Sequence, residues 1–387
     1  MTHSPAPVIV AGLRTPIGTA GHAFADVRAE DLAAPVLAAL AGEVPRYAGR
    51  VEEVLLGNCT GPGGNLARVA ALTAGLGDAV PALTVDRQCA SGLAAVSLAA
   101  DLVRSGAAAV LAGGVESAST APLRAWRPTA GRSEPVPYTR APFAPADRDP
   151  EMGPANDAFA RRHGITRERS DAYAARSHAL TVATAAAGGF DAEIVPVAGV
   201  LADERPRPGF TTQRLARLRP AFGRAEDGSS VTAGNACGIN DGAAAVLVVP
   251  GDSHAAAGGP GLEVLASATT AHDPTEPGAG LVAASQLALS RAGLHLDDVD
   301  VIEFNEAFAG QVLACCDLLG LDPERVCRQG GALALGHPWG ASGAVLAVRL
   351  FHQLAGTPGG PVWPRSPPVA GRVSRWWSGR GDPLRCA

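Results

Sequence analysis

The chain has 387 residues, a length that suits two or three packed units better than one simple core. Hydrophobic residues make up 47% of it, which allows a large core, whereas aromatic residues make up only 4%. The net charge is −5 and no block of like charges occurs, so nucleic-acid and anionic-membrane partners are not expected.

The amino-terminal segment and the cysteines bear on the compartment. The start, MTHSPAPVIVAGLRTP, has no basic region followed by a long apolar run, so we expect no signal peptide. No stretch of about 20 uninterrupted apolar residues occurs, so we expect no membrane span. Seven cysteines lie at irregular spacings, with no CxxC pair and no metal-type Cys/His cluster. This pattern predicts reduced thiols in the cytoplasm and no metal site.

Short apolar runs alternate with helical patterns along the first part of the chain. Predicted buried strands are Val8–Ala11, Glu53–Gly57 and Val110–Gly113. Predicted helices are Asp31–Ala41, Leu66–Ala74 and Ser91–Arg104. The alternation predicts an α/β fold whose strands are covered on both faces.

The alternating pattern of strands and helices breaks off between Ser117 and Phe222, where charged residues concentrate. Residues 121–150 favour an extended loop and Arg167–Ala187 a helix, as in an inserted subdomain. The alternating α/β pattern then returns. It predicts strands at Gly242–Pro250 and Gly261–Ser267 and helices at Gly280–Ala292 and Glu306–Leu319. We therefore predict a first half over residues 1–255, with an insertion at about 118–230, and a second half over 256–387.

The first candidate site is the segment Val85–Val96, VDRQCASGLAAV. A strand-like run ends near Val85 and a helix of small residues starts near Cys89. A thiol at a helix amino terminus meets the positive end of the macrodipole, which favours the thiolate, and Gly92 allows another backbone to approach. A buried structural cysteine is the alternative interpretation.

Two further segments carry polar groups suited to catalysis. His337 lies among glycines in Gly330–Gly343, GGALALGHPWGASG, where it can act as a base or an oxyanion donor. The alternative is a glycine-rich turn with an incidental histidine. Asn305, in Glu303–Ala309, can hold a water or an oxyanion, and the alternative there is a helix N-cap.

Together these segments resemble the thiolase family over about residues 6–355. VDRQCASG resembles the family's nucleophile segment, and NEAFA and GGALALGHPWGASGA complete the resemblance near the carboxyl terminus. Between them lie further similar segments in the family's order: AGGVESAS at Ala112–Ser119, EMG at Glu151–Gly153, RSDAYAARSH at Arg169–His178, LRPAF at Leu218–Phe222 and VTAGNACGINDGAA at Val231–Ala244.

The resemblance implies a fold and a reaction. The fold is a layered α/β core of two related βαβαβ-type halves, with a loop domain inserted in the first. The reaction is acyl transfer between coenzyme A thioesters, by thiolysis or Claisen condensation, in a homodimer or homotetramer. Cys89 would become acylated, His337 would take its proton and bind the thioester oxygen, and Asn305 would hold a water in the same oxyanion hole.

The resemblance also implies the residues that bind substrate. The pantetheine arm of acyl-CoA or CoA would contact Met152, Phe222, Ala236, Cys237, Ala307 and Phe308. Cys237 stands where the family commonly has Ser. Asp86 replaces the usual Asn, and its charge would oppose formation of a Cys89 thiolate.

The last stretch, residues 358–387, departs from the family. Families of this type end with a strand, a cysteine that shuttles a proton, a glycine run and a last strand. Here neither the glycine run nor a strand pattern is evident, prolines at 358–368 exclude a central strand, and Cys386 lacks the motif context. When the third base of each codon is read with the first two bases of the next codon, from Gly360 onward, the sequence can yield a glycine run, an apolar run and a stop. We therefore predict a frame slip near Thr357–Pro361, and the alternative is a genuinely divergent tail.

Two other functions compete with thiolase activity. One is a related condensing enzyme acting on carrier-protein thioesters, against which the GHP and NEAF segments and the long loop domain argue. The other is a catalytically impaired or non-catalytic CoA-binding homologue, which the aberrant tail makes plausible.

Overall fold

The computed structural model describes residues 5–47, 49–138, 140–257, 259–355 and 373–378. The strands are β1 Pro7–Arg14, β2 Gly18–Thr19, β3 Glu53–Gly57, β4 Ala82–Val85, β5 Val110–Glu116, β6 Arg124–Trp126, β7 Val136–Tyr138, β8 Asn240–Pro250, β9 Pro260–Ala266 and β10 Val373–Ser378. The helices are α1 Ala29–Glu43, α2 Leu66–Thr73, α3 Ser91–Arg104, α4 Met152–Arg162, α5 Arg167–Ala186, α6 Thr212–Leu215, α7 Gly251–Ala257, α8 Gly280–Ala292, α9 Ala309–Leu319, α10 Ala332–Leu335 and α11 Trp339–Ala355.

One mixed sheet carries both halves of the chain, with strand order β10-β9-β1-β8-β5-β3-β4 and β2 paired to β8. β3 runs parallel to β4 and β5, whereas β8 is antiparallel to β5 and β1. Every residue of β1 and β5 is buried, as predicted for strands covered on both faces.

The alternation of side chains along β8 divides the core into two layers. Ala243, Leu247 and Val249 pack with α1 and α2 on one face of the sheet. Val246 and Val248 pack with α3 and α11 on the other. A third apolar cluster joins α4, α5, α8 and α9 in the remaining part of the chain.

Helices α3 and α11 approach closely because glycines face each other at their amino-terminal ends. A Cβ on Gly92 would lie 2.8 Å from the carbonyl oxygen of Gly340, and a Cβ on Gly343 would lie 2.5 Å from the backbone nitrogen of Leu93. The close approach expected at Gly92 is thereby confirmed, and it sets the segments before the two helices side by side.

The two halves repeat one order of elements. In the first half β1, α1, β3, α2, β4 and α3 follow one another, and β3 and β4 are parallel. In the second half β9, α8, the Ile302 segment, α9, the Val326 segment and α11 follow, and Ile302 and Val326 form a parallel bridge. β10 is antiparallel to β9, as β8 is to β1.

Two predictions about the second half need correction. The helix predicted from Glu306 begins at Ala309, because Glu306 is held by side chains outside its own segment. The tail contains a strand pattern after all, at Val373–Ser378. This strand follows the prolines and contains valine and tryptophan, which favour strands. The prolines themselves and Cys386 lie outside the described residues.

Candidate active site

Cys89 lies in the turn that joins β4 to α3, two residues before Ser91 starts the helix. Gln88 adopts a left-handed conformation with φ of 50°, and its N–H donates to Asp86 Oδ1 at 2.8 Å. Ser91 Oγ accepts from the Arg87 N–H at 2.7 Å and donates to the Gln88 carbonyl at 2.6 Å. These bonds fix the turn that presents the thiol.

His337 lies in the turn between α10 and α11, also two residues before the helix starts. Its backbone N–H donates to Asn240 Oδ1 at 2.9 Å. Its Nδ1 lies 2.5 Å from Ser342 Oγ, which donates to the Pro338 carbonyl at 3.1 Å. Because the Ser342 hydroxyl donates its hydrogen to the Pro338 carbonyl, its oxygen acts as the acceptor toward the ring. We therefore assign the ring proton to Nδ1, which leaves the Nε2 lone pair free.

The free lone pair faces both other candidate residues. His337 Nε2 lies 3.1 Å from Cys89 Sγ and 3.3 Å from Asn305 Nδ2. Asn305 is not a helix cap, because α9 begins at Ala309 and its N-cap is Phe308. The structure therefore brings together the three residues predicted to carry the chemistry.

Burial sets the protonation states of the pair. His337 is 2% exposed, and desolvation lowers its pKa from 6.5 to about 4, so the ring is neutral near pH 7. Desolvation, then Cys237 and Glu116, raise the pKa of the Cys89 thiol to about 12, and Asp86 adds to the rise. Cys89 is exposed, so water offsets part of this effect.

These protonation states correct the prediction of a resting thiolate. The surroundings of Cys89 outweigh the helix dipole and favour the thiol, which donates its hydrogen toward His337 Nε2. The arrangement suits a base that removes the proton during attack rather than beforehand.

Glu116 is a buried carboxylate beneath the nucleophile turn. It is 0% exposed and accepts hydrogen bonds from Asn58 Nδ2, the N–H and hydroxyl of Thr60, and the N–H groups of Cys59 and Gly340. It thereby ties the end of β3 and the start of α11 to the end of β5, where it lies. Its charge also raises the pKa of Cys89.

Glu306, which is next to Asn305, is a buried carboxylate that joins several elements, as Glu116 does. It is fully buried and accepts from Tyr173 Oη at 2.8 Å, Ser177 Oγ at 2.7 Å and the Leu333 N–H at 3.2 Å. Helix α5, the Asn305 segment and α10 are thus joined at one carboxylate, which positions the segment leading to His337.

The residues predicted to bind pantetheine form two groups. Met152 starts α4 beside Gly153, whose backbone packs against the ring of Phe222. Ala236 forms an antiparallel bridge with Phe308, and the Cys237 N–H donates to the Ala307 carbonyl at 2.9 Å. Among the ionisable groups, Cys237 contributes most to the raised pKa of Cys89.

The sequence did not single out Glu116, Asn240, Glu306 or Ser342. Each lies inside a quoted motif, and the signal available was a polar residue within an apolar or glycine-rich run. Which partner each residue binds depends on tertiary contacts, such as the one between Asn240 and His337, that spacing does not encode.

Comparison with known proteins decides the family. The family model described as "Thiolase, N-terminal domain" matches residues 7–252, and "Thiolase, C-terminal domain" matches residues 260–360. The chain belongs to the thiolase family.

Individual thiolases are similar over nearly the whole chain. It is 42% identical over 367 residues to "Acetyl-CoA acetyltransferase" of Pseudomonas aeruginosa, covering 90% of this chain and 92% of that one. It is 39% identical over 355 residues to "Putative acetyl-CoA C-acetyltransferase VraB" of Staphylococcus aureus, covering 90% and 93%. The crystal structure of the Bacillus anthracis acetyl-CoA acetyltransferase superposes with a TM-score of 0.83 at 32% identity, covering 97% and 98%.

The described residues show neither a metal site nor a membrane-spanning helix. They contain no group of three or more His, Cys, Asp or Glu side chains arranged to hold a metal ion. In the same part of the chain, no helix has both the length and the apolar character needed to cross a membrane.

Proposed function

We propose that this thiolase transfers acyl groups between coenzyme A thioesters through an acyl-enzyme on Cys89. The observation that carries the proposal is the 3.1 Å contact between Cys89 Sγ and the unprotonated Nε2 of a buried, neutral His337. His337 takes the thiol proton as sulfur attacks the thioester carbonyl, and the tetrahedral oxyanion forms near its Nε2–H and Asn305 Nδ2. Collapse of this intermediate expels the thiol or enolate leaving group and leaves acylated Cys89.

The second half-reaction uses CoA for thiolysis or acetyl-CoA for Claisen condensation. The pantetheine arm would lie along Met152 and Phe222 and along the backbone pair of Cys237 and Ala307. These residues are apolar or small, as a thin flexible arm requires. Beyond the CoA thioesters we propose no cofactor.

The two competing functions have less support. The relatives that cover about nine tenths of the chain carry acetyl-CoA acyltransferase names, which favours CoA thioesters over carrier-protein thioesters. The assembled Cys89–His337–Asn305 cluster favours catalysis over CoA binding alone.

Intact-mass spectrometry after incubation with acetyl-CoA or acetoacetyl-CoA tests the function. We expect one added acetyl group, located on Cys89 by peptide mapping and absent from Cys89→Ser. Cys316→Ser is the matched control, because it removes a thiol that lies outside the catalytic cluster and should still acylate. Loss of acetoacetyl-CoA enolate absorbance upon addition of CoA measures turnover. A parent protein that never acylates Cys89 would overturn the proposal.

We also propose that two copies of the chain pair along β4, which is an edge strand of the described sheet. Leu83 on this strand is 47% exposed, and Val69 and Leu72 on the adjoining α2 are 47% and 43% exposed. An apolar edge beside the exposed Cys89 turn suits a second copy, which would cover both.

Light scattering tests the pairing. Leu83→Lys should yield monomers, whereas Leu201→Lys, at an exposed site far along the chain, should leave the oligomer intact. A Leu83→Lys protein with the parental mass in solution would contradict pairing at β4.

We propose a reducing, cytoplasmic setting, which the six free cysteines of the described residues support. We propose that the halves divide near residues 255 and 256, between β8 and β9.

A further inference from the structure

A small cavity lies beside the catalytic cluster, and Asn305 forms part of its lining. Its volume is about 20 Å³, and its polar lining consists of Glu303, Asn305, Ser342 and Arg349. Two of these, Asn305 and Ser342, each contact a ring nitrogen of His337. About 10–15 Å³ of such space is enough for one water, provided that two to four polar groups surround it.

Two atoms of this lining are buried without a protein partner among the described residues, Asn305 Oδ1 and Arg349 Nε. The first is an acceptor and the second a donor. A buried polar group left unpaired costs about 1–3 kcal/mol, so such atoms are normally satisfied by protein or by ordered water.

The rest of the Arg349 guanidinium is firmly held. Its Nη1 donates to both carboxylate oxygens of Glu193, at 3.1 and 3.2 Å, and its Nη2 donates to Gln329 Oε1 at 2.7 Å. The guanidinium also lies over the ring of Phe190, 4.5 Å from its centroid. Nε is therefore the guanidinium nitrogen that remains available to donate to a group in the cavity.

We propose that this cavity binds one water that accepts from Arg349 Nε and donates to Asn305 Oδ1, making Arg349 a positioning residue for the Asn305 amide. The second hydrogen of the water is directed to Glu303, whose Oε1 also accepts from Gln353 Nε2 at 2.6 Å. All three polar neighbours of the water are then satisfied.

The water determines which end of the Asn305 amide faces the reacting thioester. With Oδ1 on the water, Nδ2 lies on the His337 side, where it can donate to an oxyanion. The reversed amide would aim Oδ1 at the His337 lone pair and offer the water a donor instead of an acceptor. The inference rests on the proposed function, because it assigns a purpose to the amide within that reaction.

A pair of arginine variants tests the role. Arg14 and Arg349 both donate to Glu193 and both lie over Phe190, but Arg349 lines the cavity and Arg14 does not. Arg349→Lys keeps the charge beside Glu193 and removes the Nε donor. We expect the rate of Cys89 acylation to fall about tenfold with KM unchanged, less than the 10²–10³ for losing an oxyanion donor outright. Arg14→Lys should lose comparable thermal stability but acylate at the parental rate.

The outcomes separate this inference from the proposed function. A parent that does not acylate refutes the function, whereas an acylating parent with an equally fast Arg349→Lys refutes only the positioning role. An equal loss of rate in Arg14→Lys also refutes it. If Arg349→Lys does not fold, a high-resolution crystal structure of the parent decides. Water density between Asn305 and Arg349 supports the inference, and a dry cavity overturns it.

Discussion

At the scale of single residues, the active site works through the neutral state of His337. A histidine with an ordinary pKa would be partly protonated near pH 6.5 and would then offer Cys89 no lone pair. Burial removes this limitation by lowering the pKa to about 4. The cost is that the thiol itself is harder to ionise, since the same surroundings raise its pKa.

Substitution of the two polar partners of the thiol should have unequal effects. Asn305→Ala should slow Cys89 acylation by about 10²–10³, the usual effect of losing one oxyanion donor. His337→Ala should slow it further, because it removes the base and the second donor together. Single-turnover acylation measured by quenched-flow mass spectrometry gives both rates. His337→Ala acylating at the parental rate would refute the assignment.

The pH dependence of acylation follows from the lowered pKa of His337. The base is lost only when the ring protonates, so the rate should stay nearly constant from pH 7 down to about pH 5. The unfolded chain takes up this proton near pH 6.5, so the contribution of His337 to stability is full above that value and is lost as pH falls toward 4. Circular dichroism at each pH separates the two effects. An acid limb centred near 6.5 in folded protein would contradict this account.

At the scale of secondary-structure elements, the decisive contact is between α3 and α11. Their glycines allow the two helix starts, and with them Cys89 and His337, to reach hydrogen-bonding distance. Both residues lie outside the helices proper, so their separation depends directly on how closely the two helices pack.

Gly343→Ala should push these helices apart. Its new Cβ would lie 2.5 Å from the Leu93 nitrogen, and such overpacking costs about 1–3 kcal/mol. We expect a lower melting temperature and a lower acylation rate together. Gly280→Ala in α8 is the control, since a Cβ there meets nothing within 4 Å and φ is −57°. Equal behaviour of the two variants would show that the packing is not critical.

Most elements could be predicted from the sequence because the apolar patterns are strong. Glu53–Gly57, Ser91–Arg104 and Gly280–Ala292 were predicted to the residue. The start of α9 was placed too early, since the pattern of NEAFA is helical while the Glu306 carboxylate is held by α5.

The site was predictable where a motif identifies a residue and unpredictable where a distant partner changes its properties. The sequence locates Cys89 at a helix start, which suggests a thiolate. Cys237 and Glu116 raise the pKa of Cys89 and so oppose a thiolate. This effect cannot be predicted from the sequence, because both residues come from other strands and loops.

At the scale of the whole molecule, the two halves repeat the antiparallel pairing of their strands. In the first half β5 follows α3 and lies between β3 and β8. In the second half β10 is antiparallel to β9, as β8 is to β1, and residues 356–372 lie outside the described residues. We propose that the reading frame slips near Thr357–Pro361, because the sequence of residues 358–387 lacks the glycine run with which the family ends.

The intact mass of the native protein tests the slip. We expect a mass that differs from the 39.0 kDa of the printed sequence and matches a glycine-run terminus, and resequencing of the gene should locate the slip. A protein made with the printed tail should acylate Cys89 but turn over slowly. A native mass equal to that of the printed sequence, with full thiolase turnover, would refute the slip.

The equal spacing of Cys89 and His337 before α3 and α11 also has a consequence for how the chain can be divided. Each half contributes one partner of the acid–base pair from the same place in its own repeat. A gene cut between β8 and β9 would therefore yield two polypeptides, each lacking the other's reactive group. Activity would then return only on mixing, so this thiolase is a natural candidate for a split-protein reporter of association.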